Sequence, residues 1–285
     1  MPLNAFEGRN FAVSTMHGKE KVIAPVLKQK LEMTGVVPAG LNTDRLGTFL
    51  GDIERPGSMR TTLIRKAELG LLVSGLDISV ANEGSFGPHP IVPYITIGTE
   101  LIALIDRKLG IQLIERITDP GPTARSWVVK DLEEISDVPK RIGFPRQGVI
   151  VFADRKNPSL YVEKDFENES ELERAVQEAR QKSPDGKVCV ETDFRAHKNP
   201  RRLSIIAKLT QKLADRLQQE CPSCRKPGWG KDSTVYGAPC KICSTPTYDA
   251  QKDVFSCLSC GHREDIYSCM HSERADPGLC LVCNP

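Results

Sequence analysis

The stretch DISVANEGSFGPHP, residues 77–90, begins as a strand and ends as something else. DISVA is apolar and β-branched, whereas ANEGSFGPHP at 81–90 holds two glycines, two prolines, an acid, a histidine and Phe86. Ordinary turns need one or two such residues. The decapeptide therefore reads as an overspecified turn after a strand. Its glycines permit unusual dihedrals or close ligand approach, and its prolines stiffen the backbone around His89. Phe86 reads as the anchor of the loop. Ligands in open α/β sheets gather at the carboxyl ends of strands, so this segment is also a candidate site wall.

Outward from it, strands alternate with helices. RNFAVSTM (9–16) reads as a strand, and GKEKVIAPVLKQKLE (18–32) as a helix with Val22, Ile23, Val26, Leu27 and Leu31 on one face. A second helix is expected over 59–73, and two strands within 100–117 joined by a turn at Arg107–Gly110. GVIVF (148–152), SLYVEK (159–164) and KVCVE (187–191) are further strands, with a helix over 169–181. Asn199 caps a last helix with Pro200 at its first position, and Leu203, Ile206, Leu209, Leu213 and Leu217 repeat at helical spacing as far as Glu220. This order predicts an α/β domain over residues 1–220, a mixed sheet flanked by helices, followed by a small zinc-ribbon-like module over 221–285.

Composition narrows the class. The 285 residues are 39% hydrophobic and 27% charged, as in soluble globular proteins. No apolar run is long enough to span a membrane, and the N-terminal residues lack the pattern of a secretory signal. A cytoplasmic protein is expected, without membrane contact. A net charge of +2 gives no global argument for nucleic acid.

Cysteine is the informative residue. Of ten, nine follow position 220, and eight form the pairs Cys221/Cys224, Cys240/Cys243, Cys257/Cys260 and Cys280/Cys283. Two thiolates separated by two residues close a knuckle around one Zn²⁺, and two knuckles complete a tetrahedron, so two structural Zn²⁺ ions are expected. The thirteen residues between Cys243 and Cys257 favour a hairpin joining the two central knuckles on one zinc, with the outer pairs closing the second; sequential pairing is the rival. Cys269 and His271 are spare potential ligands, with unliganded side chains the favoured alternative given four complete knuckles. Cys189, in KVCVE, reads as a small buried hydrophobe. Residues 221–285 carry seven Lys/Arg and seven Asp/Glu, so zinc held by four thiolates would make the module acidic. That sign disfavours nucleic acid and favours a structural clamp or a protein partner.

Three polar segments follow strands: STMHGKE (14–20), ANEGSFGPHP (81–90) and ETDFRAHKNPRR (191–202). In the first, Gly18 and Lys19 after His17 open a helix whose free N–H groups suit a phosphate. In the third, Arg201 and Arg202 occupy a first helical turn, where the macrodipole disfavours cations. Either a bound anion, shared with Arg195 and His197, or ion pairs with Glu191 and Asp193 would account for them. Glu83 and His89 are candidate catalytic groups, together with Asp44. Asp44, Asp52, Glu54 and Glu83 could offer oxygens to Mg²⁺. A solvated loop is the alternative for each carboxylate.

MHGKE, NTDRLGTF, EGSFGPHP, ETDFRAHKNP and the cysteine array together resemble a bacterial family of uncharacterised proteins. Over the first 200 residues the order of pieces is also similar to the inosine/xanthosine triphosphate pyrophosphatase superfamily. The pieces are His17-Gly18-Lys19, Gly47-Thr48-Phe49, Lys66-Ala67, Glu83-Gly84 and LIALIDRKLG. That likeness implies Mg²⁺-dependent hydrolysis of nucleoside triphosphates, although the superfamily's Ser-His-Arg signature is absent here. The expected function is a phosphohydrolase or pyrophosphatase of a nucleotide-like substrate. The alternatives are a non-enzymatic protein that binds a nucleotide, or a protein partner through the zinc module, and a hydrolase with a divalent metal on His17, Glu83, His89 and His197.

Overall fold

The structure is a computed structural model and describes residues 5–43, 57–130, 132–267 and 274–285. Its first sheet contains β1 (Asn10–Val13), β2 (Thr34–Val36), β3 (Ile78–Pro88), β4 (Thr96–Asp106) and β5 (Ile111–Asp119) in the order β2-β1-β3-β4-β5. β1 runs parallel to both β2 and β3, and β3, β4 and β5 form an antiparallel meander. The turn between β4 and β5 falls at Arg107–Gly110, where the alternation of apolar residues breaks.

Helices α1 (Glu20–Leu31) and α6 (Pro200–Leu217) cover one face. Ile23, Leu27 and Leu31 from α1 and Ile206, Leu209, Leu213 and Leu217 from α6 share one core with Phe11, Val13, Ile78, Val80, Ile102 and Leu104. Asn199 caps α6 as its sequence predicts, its side-chain oxygen accepting the Arg202 N–H at 2.9 Å.

Helix α2 (Met59–Ser74) lies on the opposite face, where Leu63 and Ala67 meet Ala81 and Ala103. The small residues let the helix approach closely. At Gly70 an added Cβ would stand 1.5 Å from Ser14 Oγ, which already shares a 2.6 Å hydrogen bond with Ser79 Oγ. Gly70→Ala gains helix propensity but overpacks this contact, and overpacking wins. The expected loss is about 1–3 kcal/mol, read as a lower urea midpoint with an unchanged slope.

The expected turn over 81–90 is instead mostly strand. β3 continues to Pro88 in unbroken register with β4, from Ala81 opposite Ala103 to Pro88 opposite Thr96. The reversal is confined to residues 89–95, where the Ile91 and Val92 N–H groups donate to His89 Nδ1 at 3.1 Å each. The unusual residues serve packing across the sheet. A Cβ on Gly84 would lie 2.4 Å from Arg202 Nη2 and 2.5 Å from Glu100 Oε1. Phe86 lies close over Gly98 and stacks on Phe194 with centroids 4.4 Å apart, which is the anchoring role expected of it.

Residues 126–192 build a second, antiparallel sheet that sequence periodicity did not separate from the first. It comprises β6 (Ser126–Val129), β7 (Val149–Phe152), β8 (Val162–Lys164) and β9 (Val188–Thr192), ordered β6-β9-β7-β8. Two short helices, α3 (Leu132–Ser136) and α4 (Val138–Ile142), connect β6 to β7. Helix α5 (Glu169–Lys182) packs Leu172, Ala175, Val176 and Ala179 into a core of its own with Val149, Val151, Val188 and Val190. The chain then returns to the first sheet as α6. Cys189 is half-buried on β9 beside Ser126, and burial pushes its thiol up, away from the reactive thiolate.

The C-terminal module holds the antiparallel sheet β10 (Gly230–Tyr236), β11 (Ala250–Ser256) and β12 (Arg263–Ile266). Arg216 near the end of α6 joins it to the first sheet, donating to Gly228 O at 3.2 Å, Lys231 O at 3.1 Å and Glu115 Oε1 at 2.9 Å. No helix among the described residues is long and apolar enough to cross a membrane.

Candidate functional sites

β1 ends before its neighbour. β1 pairs with β3 only at Ala12–Ser79 and Val13–Val80, followed by one hydrogen bond from Ser14 N to Val80 O at 2.7 Å. β3 runs on to Pro88 beside β4. Lys19, from the loop after β1, lies against the edge thus left, with Nζ 3.4 Å from the Asn82 carbonyl.

Strand alternation sends successive side chains of β3 to opposite faces. Glu83 meets α2, where Lys66 Nζ lies 2.6 Å from Oε2. On the other face Glu100 of β4 receives Arg202 Nε at 2.6 Å and Asn82 Nδ2 at 3.0 Å. Arg202 also donates to the Phe194 carbonyl at 2.6 Å. Lys19, Lys66, Glu83, Glu100 and Arg202 are all buried. Among the described residues, this group contains three basic side chains and two carboxylates, and Asn82 Oδ1 is buried with no hydrogen-bond partner.

Lys19 carries the strain of this arrangement. Burial, reinforced by the charges of Arg202 and Lys66 and opposed by Glu100 and Glu83, lowers its pKa to about 7. In the unfolded chain the amine stays protonated to about pH 10.4. Between those values the unfolded state binds the extra proton, so the folding cost of Lys19 is fully present below pH 7 and fades as pH rises toward 10. Lys19→Met should therefore stabilise the chain by a few kcal/mol at pH 6 and by clearly less at pH 9, as measured by urea unfolding at the two pH values.

The three polar segments converge. His17, at φ 65°, stacks on His197 with centroids 5.3 Å apart, and Gly18, at φ 73°, lies directly against His197. His197 Nε2 is 3.7 Å from Asp165, and burial and Arg195 push its pKa below the usual histidine value. Lys19 lies at the edge of β3, Glu83 on one face of that strand and Arg202 against Glu100 on the other, so each segment brings one group to this part of the sheet.

Other candidate residues are placed differently. Arg201 turns away to Asp119, with Nη2 at 2.6 Å and Nε at 2.8 Å, and lowers the pKa of that carboxyl. Arg195 is held by Asp165 and Asp193. Glu191 pairs with Arg155, so the expected neutralisation of Arg201 and Arg202 by Glu191 and Asp193 is replaced by Asp119 and Glu100. His89 spends Nδ1 on its own loop, and Glu83 is held by Lys66, so His17, Glu83, His89 and His197 do not assemble as one metal site. Asp44, Asp52, Glu54, Gly47-Thr48-Phe49, Cys269 and His271 lie outside the described residues. Glu83 and Glu100 do not fit Mg²⁺ as arranged, since they face opposite sides of the sheet and each is engaged by a cation.

Glu100 and Asn82 are members of this group that sequence reading passed over. One signal was present: Glu100 is in phase with Ile102 and Leu104, the buried face of β4. A carboxylate on an apolar face requires a cation.

The cysteines form two groups, Cys221, Cys224, Cys257 and Cys260, and Cys240, Cys243, Cys280 and Cys283. Sulfur separations of 3.7 Å (Cys221–Cys260), 3.6 Å (Cys224–Cys257), 3.8 Å (Cys240–Cys283) and 3.5 Å (Cys243–Cys280) suit a tetrahedral ion, since Zn–S bonds of about 2.3 Å place sulfurs about 3.8 Å apart. Both groups can hold zinc. The pairing is first knuckle with third and second with fourth, which corrects both the favoured pairing and its sequential rival. β11 fills the segment between the second and third knuckles and holds them apart by roughly 20 Å. Because β10 and β11 are antiparallel, with Gly230 opposite Ser256, the first and third knuckles meet at one end. The fourth reaches the second at the other end, where Lys241 N donates to Ala275 O at 3.0 Å.

Fold and sites together define a mixed α/β protein with a buried cluster of charged side chains and two four-cysteine groups that could hold metal ions. The chain belongs to the family described as Domain of unknown function (DUF6671), which matches residues 66–285 and so includes Lys66, Glu83, Glu100, Arg202 and all four knuckles. No curated protein and no solved structure matches it.

Proposed function

We propose that the buried charged cluster around Lys19 binds the phosphate groups of a nucleotide-like substrate and that the protein hydrolyses its phosphoanhydride bond. The observation that carries this reading is Lys19 itself, buried at the edge of β3 between the Lys66–Glu83 pair on one face and the Arg202–Glu100 pair on the other, with Nζ 3.4 Å from one backbone oxygen. A bound phosphate would supply the missing negative charge, and cations are the main catalytic need of phosphoryl transfer. Glu83, fixed by Lys66, would orient the attacking water. The resemblance to the inosine/xanthosine triphosphate pyrophosphatases agrees with this reading, because three of the pieces that carry it meet here through Lys19, Lys66 and Glu83. The described carboxylates give no support to Mg²⁺, and the reading does not depend on it.

The test is release of phosphate or pyrophosphate from a panel of nucleoside triphosphates and diphosphates by the full zinc-loaded chain. Lys19→Ala and Glu83→Gln should each lower turnover at least a hundredfold while circular dichroism stays unchanged. Absence of turnover across the panel, or full activity in Lys19→Ala, would sink the proposal. A second reading, binding without turnover, is favoured by one fact: both site carboxylates are already held by cations. It predicts saturable nucleotide binding with no product.

A further inference from the structure

The two faces of β3 differ in what a ligand could reach. On the α6 side the Arg202 and Glu100 side chains are 1% and 2% exposed, and Asn82 Nδ2 donates to Glu100 and to the Leu101 carbonyl. That pair is closed in by protein. On the α2 side the sheet changes character along the strand. Ala81 and Ala103 pack on Leu63 and Ala67, whereas Glu83, Ser85 and Thr99 follow on the same face, with Ser85 opposite Thr99 in the register. Ser85 and Thr99 are half-buried, so solvent reaches this end.

Helix α2 carries to this face one group that no described residue satisfies. Gly70 lies against Ser79 and Lys66 against Glu83, so moving up α2 toward its N-terminus is moving along β3 toward Ser85. Thr62 stands about one turn before Lys66 on the same side of the helix. It is buried, and among the described residues its Oγ1 has no hydrogen-bond partner. A buried helical threonine can return its hydroxyl to the carbonyl four residues earlier, as Thr210 does to Ile206 at 2.8 Å. Thr62 makes no such bond. An unpaired buried hydroxyl costs stability that a valine of the same shape would not.

We propose that Thr62 Oγ1 belongs to a phosphate subsite on the α2 face of β3, where it and Lys66 donate to phosphate oxygens. The proposal rests on the phosphohydrolase reading and assigns the ligand to one of the two faces. An ammonium carries three N–H groups, of which Lys66 gives one to Glu83. A phosphate oxygen accepts, so the Thr62 hydroxyl supplies the hydrogen.

Isothermal titration calorimetry of the full zinc-loaded chain tests this, beside urea unfolding. The probes are methylenediphosphonate and ATP whose anhydride oxygens are replaced by methylene groups, neither of which can be turned over. Thr62→Val should weaken binding of both at least tenfold, as loss of a hydrogen bond to a charged group does, while its urea midpoint stays level or rises. Thr62→Ser, which keeps the hydroxyl, should bind within threefold of the wild type. A wild type that binds neither probe overturns the phosphate reading and this subsite with it. A wild type that binds, with Thr62→Val binding equally well, overturns the subsite alone. Weakening for the nucleotide but not for methylenediphosphonate would set the hydroxyl against the nucleoside and overturn it too. So would a lower urea midpoint for Thr62→Val, which would mean that the hydroxyl is already paired within the fold.

Discussion

Arg202→Met, made while Glu100 remains, will cost about 3–5 kcal/mol of folding stability, the penalty for leaving a buried charge without its partner. Both side chains are buried, and Glu100 accepts Arg202 Nε at 2.6 Å. Methionine restores volume but no donor, and the Phe194 carbonyl also loses the guanidinium. Adding Glu100→Gln should recover much of the loss, because the uncompensated charge disappears. Arg201→Met, one residue earlier, should cost clearly less, since Arg201 is half-exposed and buried Asp119 keeps the Gly121 N–H at 3.1 Å. Urea unfolding of the three variants beside the wild type measures the contrast. Equal losses for Arg201→Met and Arg202→Met would mean that Arg202 is not the buried member of the pair.

Cys257→Ser should reduce bound zinc from two ions to one. Cys221→Ser/Cys257→Ser should also leave one, because both cysteines belong to the same group. Cys240→Ser/Cys257→Ser should leave none, whereas a centre built from the two central knuckles would retain one. Native mass spectrometry counts the ions. The structural effect should be large, because four-cysteine zinc sites contribute about 10–16 kcal/mol of metal-binding free energy to folding. Loss at the first centre should loosen the end of α6 through Arg216, and loss at the second should leave α6 protected. Amide exchange of Leu213–Leu217 reads the difference.

Much of the fold is written in local chemistry. Asn199-Pro200 and the repeat from Leu203 to Leu217 specify α6 by capping and spacing alone, and the helix begins and ends nearly where they indicate. The eight cysteines that could hold zinc are equally plain, because a knuckle is a four-residue object. Lys19, Glu83 and Arg202 could be singled out from three loops as chemically unusual. Their placement around one stretch of β3 and β4 depends on how far β1 runs beside β3, which no segment encodes by itself.

The remaining features depend on contacts distant in sequence. ANEGSFGPHP has the composition of a turn, yet most of it is strand, because eleven β4 residues pair with β3 from Ile78 to Pro88. Gly84 is there for the space that Arg202 and Glu100 occupy. Neighbouring Arg201 and Arg202 look interchangeable in the chain, but helix geometry leaves Arg201 half-exposed against Asp119 and buries Arg202 against Glu100. The knuckles are likewise identical as ligands, and the antiparallel β10–β11 hairpin alone decides which of them share an ion. Residue identity and spacing mark which groups can carry charge or bind metal. Their partners follow from the folded chain, because a buried charge or a thiolate acts through whichever group lies a few ångströms away, however remote in the chain.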